Sequence, residues 1–173
     1  MTPEIYTRRL NENDLEVFFQ IRLEALKDSP TSFLTSYEEE FSYGKRIYAK
    51  KLEQTNIDDL FFGAFFKETL IGIVAFYRST KAALAHKYTL WGTYIQPQYR
   101  QKFYGKLMLK TAISDLKEIT NCKAVYLAVR TTNKAALNLY ETCGFKIWGT
   151  EPCALIVDGK PYELSHMSLI LKN

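Results

Sequence analysis

Between residues 69 and 114 the chain has no aspartate or glutamate, while Arg78, Lys81, Lys87, Arg100, Lys102, Lys106 and Lys110 all fall inside that stretch. The whole protein carries 23 basic against 19 acidic residues, net +4, so the remainder holds 16 against 19 and nets −3. The positive field is therefore local, and it predicts one bound anion rather than a face or tail for nucleic acid. Cysteine is sparse as well: Cys122, Cys143 and Cys153 are odd in number and show no CxxC spacing. That excludes a disulfide framework and a zinc site and reads as three reduced thiols. No run of about 18 apolar residues occurs, and Glu4, Arg8 and Arg9 interrupt the first ten positions, so neither a membrane span nor a signal peptide is expected. A cytoplasmic protein is the expectation. Gly105 is the only glycine between Gly92 and Gly144, so GxxxxGK[ST] and GxGxxG are both missing, which excludes P-loop and Rossmann nucleotide sites.

What the chain does have is apolar material for one core. Its 173 residues are 47% hydrophobic and 14% aromatic, which fits a single domain over residues 1–173. Residues 5–10 read as a strand. Asn13 with Glu16 resembles a capping box opening a helix whose inner face holds Leu15, Phe18, Phe19, the Arg22 stem and Leu26, stopped by Ser29-Pro30. Ser36 with Glu39 gives a second cap, for a helix that Gly44 interrupts and that resumes toward Leu52. Residues 60–66, 71–77 and 87–95 are rich in β-branched and aromatic side chains and read as an antiparallel meander. A long amphipathic helix begins at Tyr104, a buried strand spans 124–129, and a shorter helix spans 133–143 with Gly144 as its left-handed cap. Residues 145–149 and 162–171 complete the pattern as strands around an Asp158-Gly159 turn.

Two segments carry chemistry. Residues 94–106 run from a strand end through a basic loop into a helix start, where successive amides and the helix dipole converge on phosphate, with Arg100, Lys102 and Lys106 available to neutralise it. Three cations set against the helix dipole are otherwise unfavourable. Asn133 and Tyr140 stand seven residues apart, two helical turns less about 20°, so both lie on one line about 10 Å apart and can touch one extended ligand. Asn133 can equally be an N-cap, and Tyr140, with Ala136 and Cys143, can equally be core.

Together these residues resemble the GNAT superfamily of acetyl-CoA-dependent N-acetyltransferases. Its pyrophosphate loop has the form (Q/R)xxGx(G/A), and Arg100-Gln101-Lys102-Phe103-Tyr104-Gly105 matches the first and last positions, with Phe103 at the middle glycine. The segment from Val129 through Asn133 and Tyr140 to Gly144-Phe145 is similar to the family's Asn-to-Tyr helix without insertion. The resemblance runs along essentially the whole chain. It implies an α+β, three-layer fold: a mixed, mostly antiparallel sheet of about 6–7 strands flanked by about 4 helices. It also implies that Tyr94 and Ile95 offer backbone to the pantetheine arm where the strands holding Tyr94 and Val129 splay apart. Residues 100–106 would ring the pyrophosphate, Asn133 would bond the arm, with Ala136 beside it, and Tyr140 would sit near the thioester sulfur. A phenylalanine is expected to keep negative φ and to carry a bulky ring, so Phe103 predicts weakened coenzyme binding.

Acyl transfer to an amine needs a neutral amine, a polarised carbonyl and a protonated leaving group. A phenol with pKa near 10 suits Tyr140 to the last task. A backbone amide near Ile95 can polarise the carbonyl. Among Glu38, Glu39 and Glu40, Glu38 is the candidate base or acceptor-side group, although such a run is also an ordinary first helical turn. His86 and His166 have no visible catalytic partners, and Cys143 on an apolar helix face makes a poor nucleophile, which favours direct transfer over a ping-pong route. Phe33 and Trp91 are candidates for the acceptor cleft, beside Tyr37. Strand alternation puts Trp91 and Thr93 on one face and Tyr94 on the other. The expected partners are a coenzyme A thioester and a small-molecule or peptide amine, with no metal, no nucleic acid and no membrane, in a monomer or homodimer. An acyl-CoA sensor or assembly partner that has lost turnover stands as the alternative, supported by Phe103.

Overall fold

The β-branched and aromatic runs of the chain fold into one seven-stranded sheet in the computed structural model, which describes residues 4–171. In chain order the elements are β1 (Ile5–Arg9), α1 (Leu15–Asp28), α2 (Tyr37–Tyr43), α3 (Arg46–Ala49), β2 (Asp59–Phe66), β3 (Thr69–Tyr77) and β4 (Lys87–Ile95), followed by α4 (Tyr104–Thr120), β5 (Ala124–Arg130), α5 (Lys134–Thr142), β6 (Lys146–Val157) and β7 (Lys160–Ile170). The strand order is β1-β2-β3-β4-β5-β7-β6. Every neighbouring pair is antiparallel except β4 and β5, which α4 joins by a crossover. The α+β, three-layer architecture is as expected, with five helices because Gly44, at φ 68°, ends α2 and leaves α3 as a separate short turn.

The sheet separates two cores. On one side β2, β3 and β5 pack against Met108, Leu109, Ala112, Ile113 and Leu116 of α4 and Leu137 and Tyr140 of α5. On the other, Phe18, Phe19, Ile21 and Ala25 of α1 pack with Tyr48 and Leu52 against Phe61, Phe65, Ile73 and Tyr94. The 3.6-residue spacing of apolar positions in α1 and α4 is what gives each helix one buried face.

Local signals decide several boundaries. Ser36 and Glu39 form the expected capping box at α2. At α1 the box lies earlier than expected: Asn11 receives the Asn13 amide, and the Asp14 carboxylate receives the Asn11 amide, through a short 3-10 turn. Glu16, expected in that box, instead meets Gln20 and Lys45. β6 runs well past residue 149: its pairing with β7 is irregular between Glu151 and Leu155, where Pro152 lies, and resumes over the apolar residues Leu155, Ile156 and Val157. The hairpin turns at Asp158 and Gly159, φ 52° and 72°, both in the region that a two-residue turn requires.

Two features of β4 shape everything that follows. Its pairing with β5 covers only Lys87, Tyr88 and Thr89, opposite Ala124, Val125 and Tyr126, after which the strands separate and open a cleft. Against β3, the register slips between Ile73 and Ala75, so that Gly92 and Thr93 both stand opposite Val74. This is a β-bulge, and Gly92 takes φ 67°, a conformation that glycine adopts without cost. The extra residue turns the strand over. Trp91 and Tyr94 both pack toward α1, correcting the expectation from simple alternation that they face opposite ways.

Candidate active site

The parting of β4 and β5 forms a cleft of about 1130 Å³ that reaches both faces of the sheet. One end is built by the loop after β4 and by α4 and α5, the other by α1, α2, α3 and the β6–β7 hairpin.

At the loop end, α4 begins without any side-chain cap and without an acidic residue in its first turn. The amides of residues 101 to 106 donate to no other group of the described chain. Leu107 is the first to find a partner, the Phe103 carbonyl at 3.0 Å. A row of free N–H groups at a helix start is what a diphosphate needs. Phe103 does not keep negative φ: it stands at φ 61° and Gln101 at φ 60°. The Phe103 backbone thus adopts a left-handed conformation that glycine takes without cost, and its ring is 81% exposed, directed away from the core. Gly105 faces Ile95 and Leu139, Tyr104 packs on the core, and Lys106 lines the cleft, whereas Lys102 lies outside it, beside the Tyr99 ring.

Arg100 is already engaged. Its guanidinium bonds the Asp28 carboxylate at 2.5 Å and the Ile95 carbonyl at 2.8 Å, over the Tyr94 ring, and that bond holds the Asp28 carboxyl below the usual range. The acid-free stretch of sequence therefore receives an acid in space, from the end of α1. Gln96 donates its amide N to β3, so alternation turns the Ile95 N–H and carbonyl toward the open side, while the Tyr94 carbonyl points at Gly72 on β3. The Tyr94 hydroxyl bonds Glu24 at 3.1 Å on the α1 face. Ile95 is the residue whose N–H faces the cleft.

On α5, Asn133 is the N-cap, accepting from the Ala136 amide at 3.1 Å, and its side-chain amide donates to Ser32 Oγ at 3.4 Å across the cleft. Both expected roles are thus open to it, since one side-chain donor hydrogen is unused. Tyr140 is buried, edge-on to Phe145, and lines the cleft floor. Burial pushes its phenol above the ordinary value, and the Thr93 hydroxyl approaches it without closing a hydrogen bond of normal geometry. Burial likewise raises the Cys143 thiol and keeps it protonated.

The other end of the cleft brings together Phe33 and Trp91, with the Arg22 guanidinium at 4.9 Å and 5.4 Å from their ring centres. Glu38 is exposed and does not line the cleft; Glu39 is spent on the cap. The carboxylate that faces inward is Glu40, 2% exposed, taking a bond from the Tyr48 hydroxyl and paired with Arg22 at 3.4 Å. Helical geometry explains the choice among the three, because Glu40 stands three residues after Tyr37, on the face turned to α1. Sequence reasoning also passed over Arg130 and Thr93. The available signal was an arginine at an inward position of an otherwise apolar pattern, which Arg22 shows on α1. His86 is exposed, and His166 bonds Glu151 at 2.8 Å beside Trp148; neither lines the cleft. Among the described residues there is no cluster of metal-binding side chains, and no helix is long and apolar enough to cross a membrane.

Residues 22–145 match the family model of the Acetyltransferase (GNAT) family. The chain belongs to that family. It is an acetyl-CoA-dependent N-acetyltransferase. A spermidine N(1)-acetyltransferase of Thermoplasma acidophilum is 31% identical over 170 residues, covering 92% of this chain and 98% of the relative. Among solved structures, a GNAT-family acetyltransferase of Streptococcus pneumoniae superposes with TM-score 0.79 at 21% identity, over 97% of this chain and 100% of that one. A spermidine N-acetyltransferase of Vibrio cholerae in complex with CoA and spermine gives 0.73 at 19% identity, over 96% and 95%. At these identities the two structures speak to the fold, which they share with this GNAT chain from end to end.

Proposed function

We propose that this acetyltransferase moves the acetyl group of acetyl-CoA directly to a primary amine, with Tyr140 as the acid that protonates the departing sulfur. The observation that carries the reading is the alignment along one cleft of the free amides of residues 101 and 103–106, the outward N–H of Ile95, the Asn133 side chain and the buried Tyr140 phenol. The family's cosubstrate needs a diphosphate cradle, a strand edge for its amide-bearing arm and a proton donor, in that order, and the residues fit each.

In the transfer the amine lone pair forms a C–N bond to the acetyl carbon while the C–S bond breaks. The ammonium proton leaves to water, and the sulfur takes a proton that Tyr140 regains from solvent. The Ile95 amide is placed to donate to the carbonyl oxygen as charge grows there, the role of an oxyanion-hole donor. Tyr140 suits its task because burial keeps it protonated at neutral pH. The Cys143 thiol, held protonated by burial and lying at a helix end, supports direct transfer over an acylated cysteine. Glu40 replaces Glu38 as the acceptor-side carboxylate. Its bonds to Tyr48 and Arg22 hold it in place to orient the incoming amine.

The sensor alternative drew on Phe103, and the left-handed backbone of that residue, open to the loop amides beside it, weighs against it. A polyamine acceptor is a second reading, favoured by the name of the 31% identical relative. The test is release of free thiol from acetyl-CoA across polyamines, amino acids, aminoglycosides and peptides, with Tyr140→Phe as control. Amine-dependent release that the control lacks supports the reading; tight coenzyme binding with no turnover on any amine overturns it.

A further inference from the structure

Arg130 ends β5 with its guanidinium inside the cleft, 7% exposed, stacked 3.6 Å from the centre of the Tyr162 ring on β7. Its Nε and one terminal nitrogen have no hydrogen-bond partner, and it is in no ion pair with any described residue. Arg22, 3% exposed, likewise leaves Nε and one terminal nitrogen unpartnered, and Glu40 meets only its other terminal nitrogen, at 3.4 Å. Buried N–H groups without acceptors are costly, and a buried cation without a counter-charge more so. Strand alternation assigns both to one side: Val125, Leu127 and Val129 face α4 and α5, so Arg130 faces the Trp91 and α1 side, where Arg22 lies. Glu40 balances Arg22, and Lys51 has Asp59 at 3.4 Å, so the acceptor end keeps one uncompensated buried positive charge, that of Arg130.

We propose that Arg130, assisted by Arg22, is a carboxylate subsite, and that the acceptor is an amine that also carries a carboxylate, as an amino acid does. A guanidinium presents two parallel donors that match a carboxylate's two oxygens, and stacking on Tyr162 fixes the plane of that fork. The same charge opposes a polyamine, which brings only cations to an end of the cleft already positive by one. This assignment rests on the amine-transfer reading above and supplies its acceptor class. In the transfer step the carboxylate is a handle: the C–N bond forms at the amine, and no bond to the carboxylate changes.

The test compares leucine and phenylalanine with their C-terminal amides and with spermidine, by thiol release and by the rise in Tm in the presence of coenzyme A. Amidation lowers the amine pKa and so favours the amides as nucleophiles, which works against the proposal. The expected result is kcat/KM at least about tenfold higher for the acids than for the amides. Arg130→Gln and Arg130→Met, shown to be folded by their Tm rise with coenzyme A alone, bring the two within about threefold. A carboxylate-dependent Tm rise lost in both variants, seen without turnover, keeps the subsite and removes the transfer reading. Turnover that ignores the carboxylate, prefers spermidine, or keeps its acid preference in both variants overturns the subsite and leaves amine transfer standing.

Discussion

Phe103 holds φ 61° immediately ahead of Tyr104, the first residue of α4, and leaves its ring 81% exposed. A side chain in that region costs an L-residue roughly 1–2 kcal/mol, partly offset by the roughly 0.5–1 kcal/mol that glycine loses in chain entropy. Phe103→Gly is therefore expected to stabilise the protein by up to about 1 kcal/mol, a rise in Tm of about 2–4 °C, with coenzyme A affinity equal or better. Phe103→Val, β-branched in the same conformation, is expected to lower Tm. Calorimetric melting and titration with coenzyme A check both, and a Phe103→Gly protein that melts lower would show that the ring earns its place by a contact.

The Arg100 guanidinium grips Asp28 and the Ile95 carbonyl at once. Lysine has the charge but not the two-pronged geometry. If bracing is its main role, Arg100→Lys loses coenzyme A affinity about as much as Arg100→Ala, on the order of tenfold. Retention of wild-type Kd by Arg100→Lys would assign it to simple neutralisation of phosphate.

Glu40→Gln removes the counter-charge of Arg22 in a buried pair, and such losses cost about 3–5 kcal/mol. A sharp fall in denaturation midpoint and in kcat/KM is expected. Glu38→Gln, on the exposed face, is expected to change neither by more than about twofold, within the usual range of surface substitutions. Equal losses in the two variants would return the acceptor-side role to Glu38.

Burial raises the phenols of Tyr48, Tyr88, Tyr94 and Tyr140. A group whose folded pKa is raised gives stability that is complete below its unfolded value and is lost as pH climbs toward the folded one. Stability against urea should therefore hold from neutral pH to about 10 and fall steeply above it. At the acid end the Arg100 bond lowers Asp28, whose contribution fades as pH falls through about 4 and below. Urea midpoints between pH 3 and 11.5 check this, and a midpoint unchanged at pH 11 would contradict the burial of these phenols.

Much of the fold was legible because periodicity and caps are local. The meander, the amphipathic α4, the Ser36 cap and the Asp158-Gly159 turn all follow from neighbours within a few residues. What was hidden depends on pieces distant in sequence. The charge gap around Arg100 is closed by Asp28, 72 residues away. The bulge at Gly92 is visible only as a register slip against β3, and it reverses which residues share a face. The site showed the same division. Asn133 and Tyr140 stood out by spacing on one helix, whereas Arg130 and Glu40 gained meaning only when β7 and α1 packed against them. Phe103 was misjudged for another reason: the loop it occupies imposes its φ, overriding the residue's own preference.

The claim that Tyr140 serves as the acid is tested most directly by the rate of thiol release from acetyl-CoA by wild type and Tyr140→Phe at saturating amine, beside acetyl-CoA affinity measured by calorimetry. The expected result is a loss of about 10²–10⁴ in kcat with Kd within about threefold, since only the proton donor is removed. A Tyr140→Phe enzyme that turns over at the wild-type rate would contradict it and make Tyr140 a packing residue of the cleft floor.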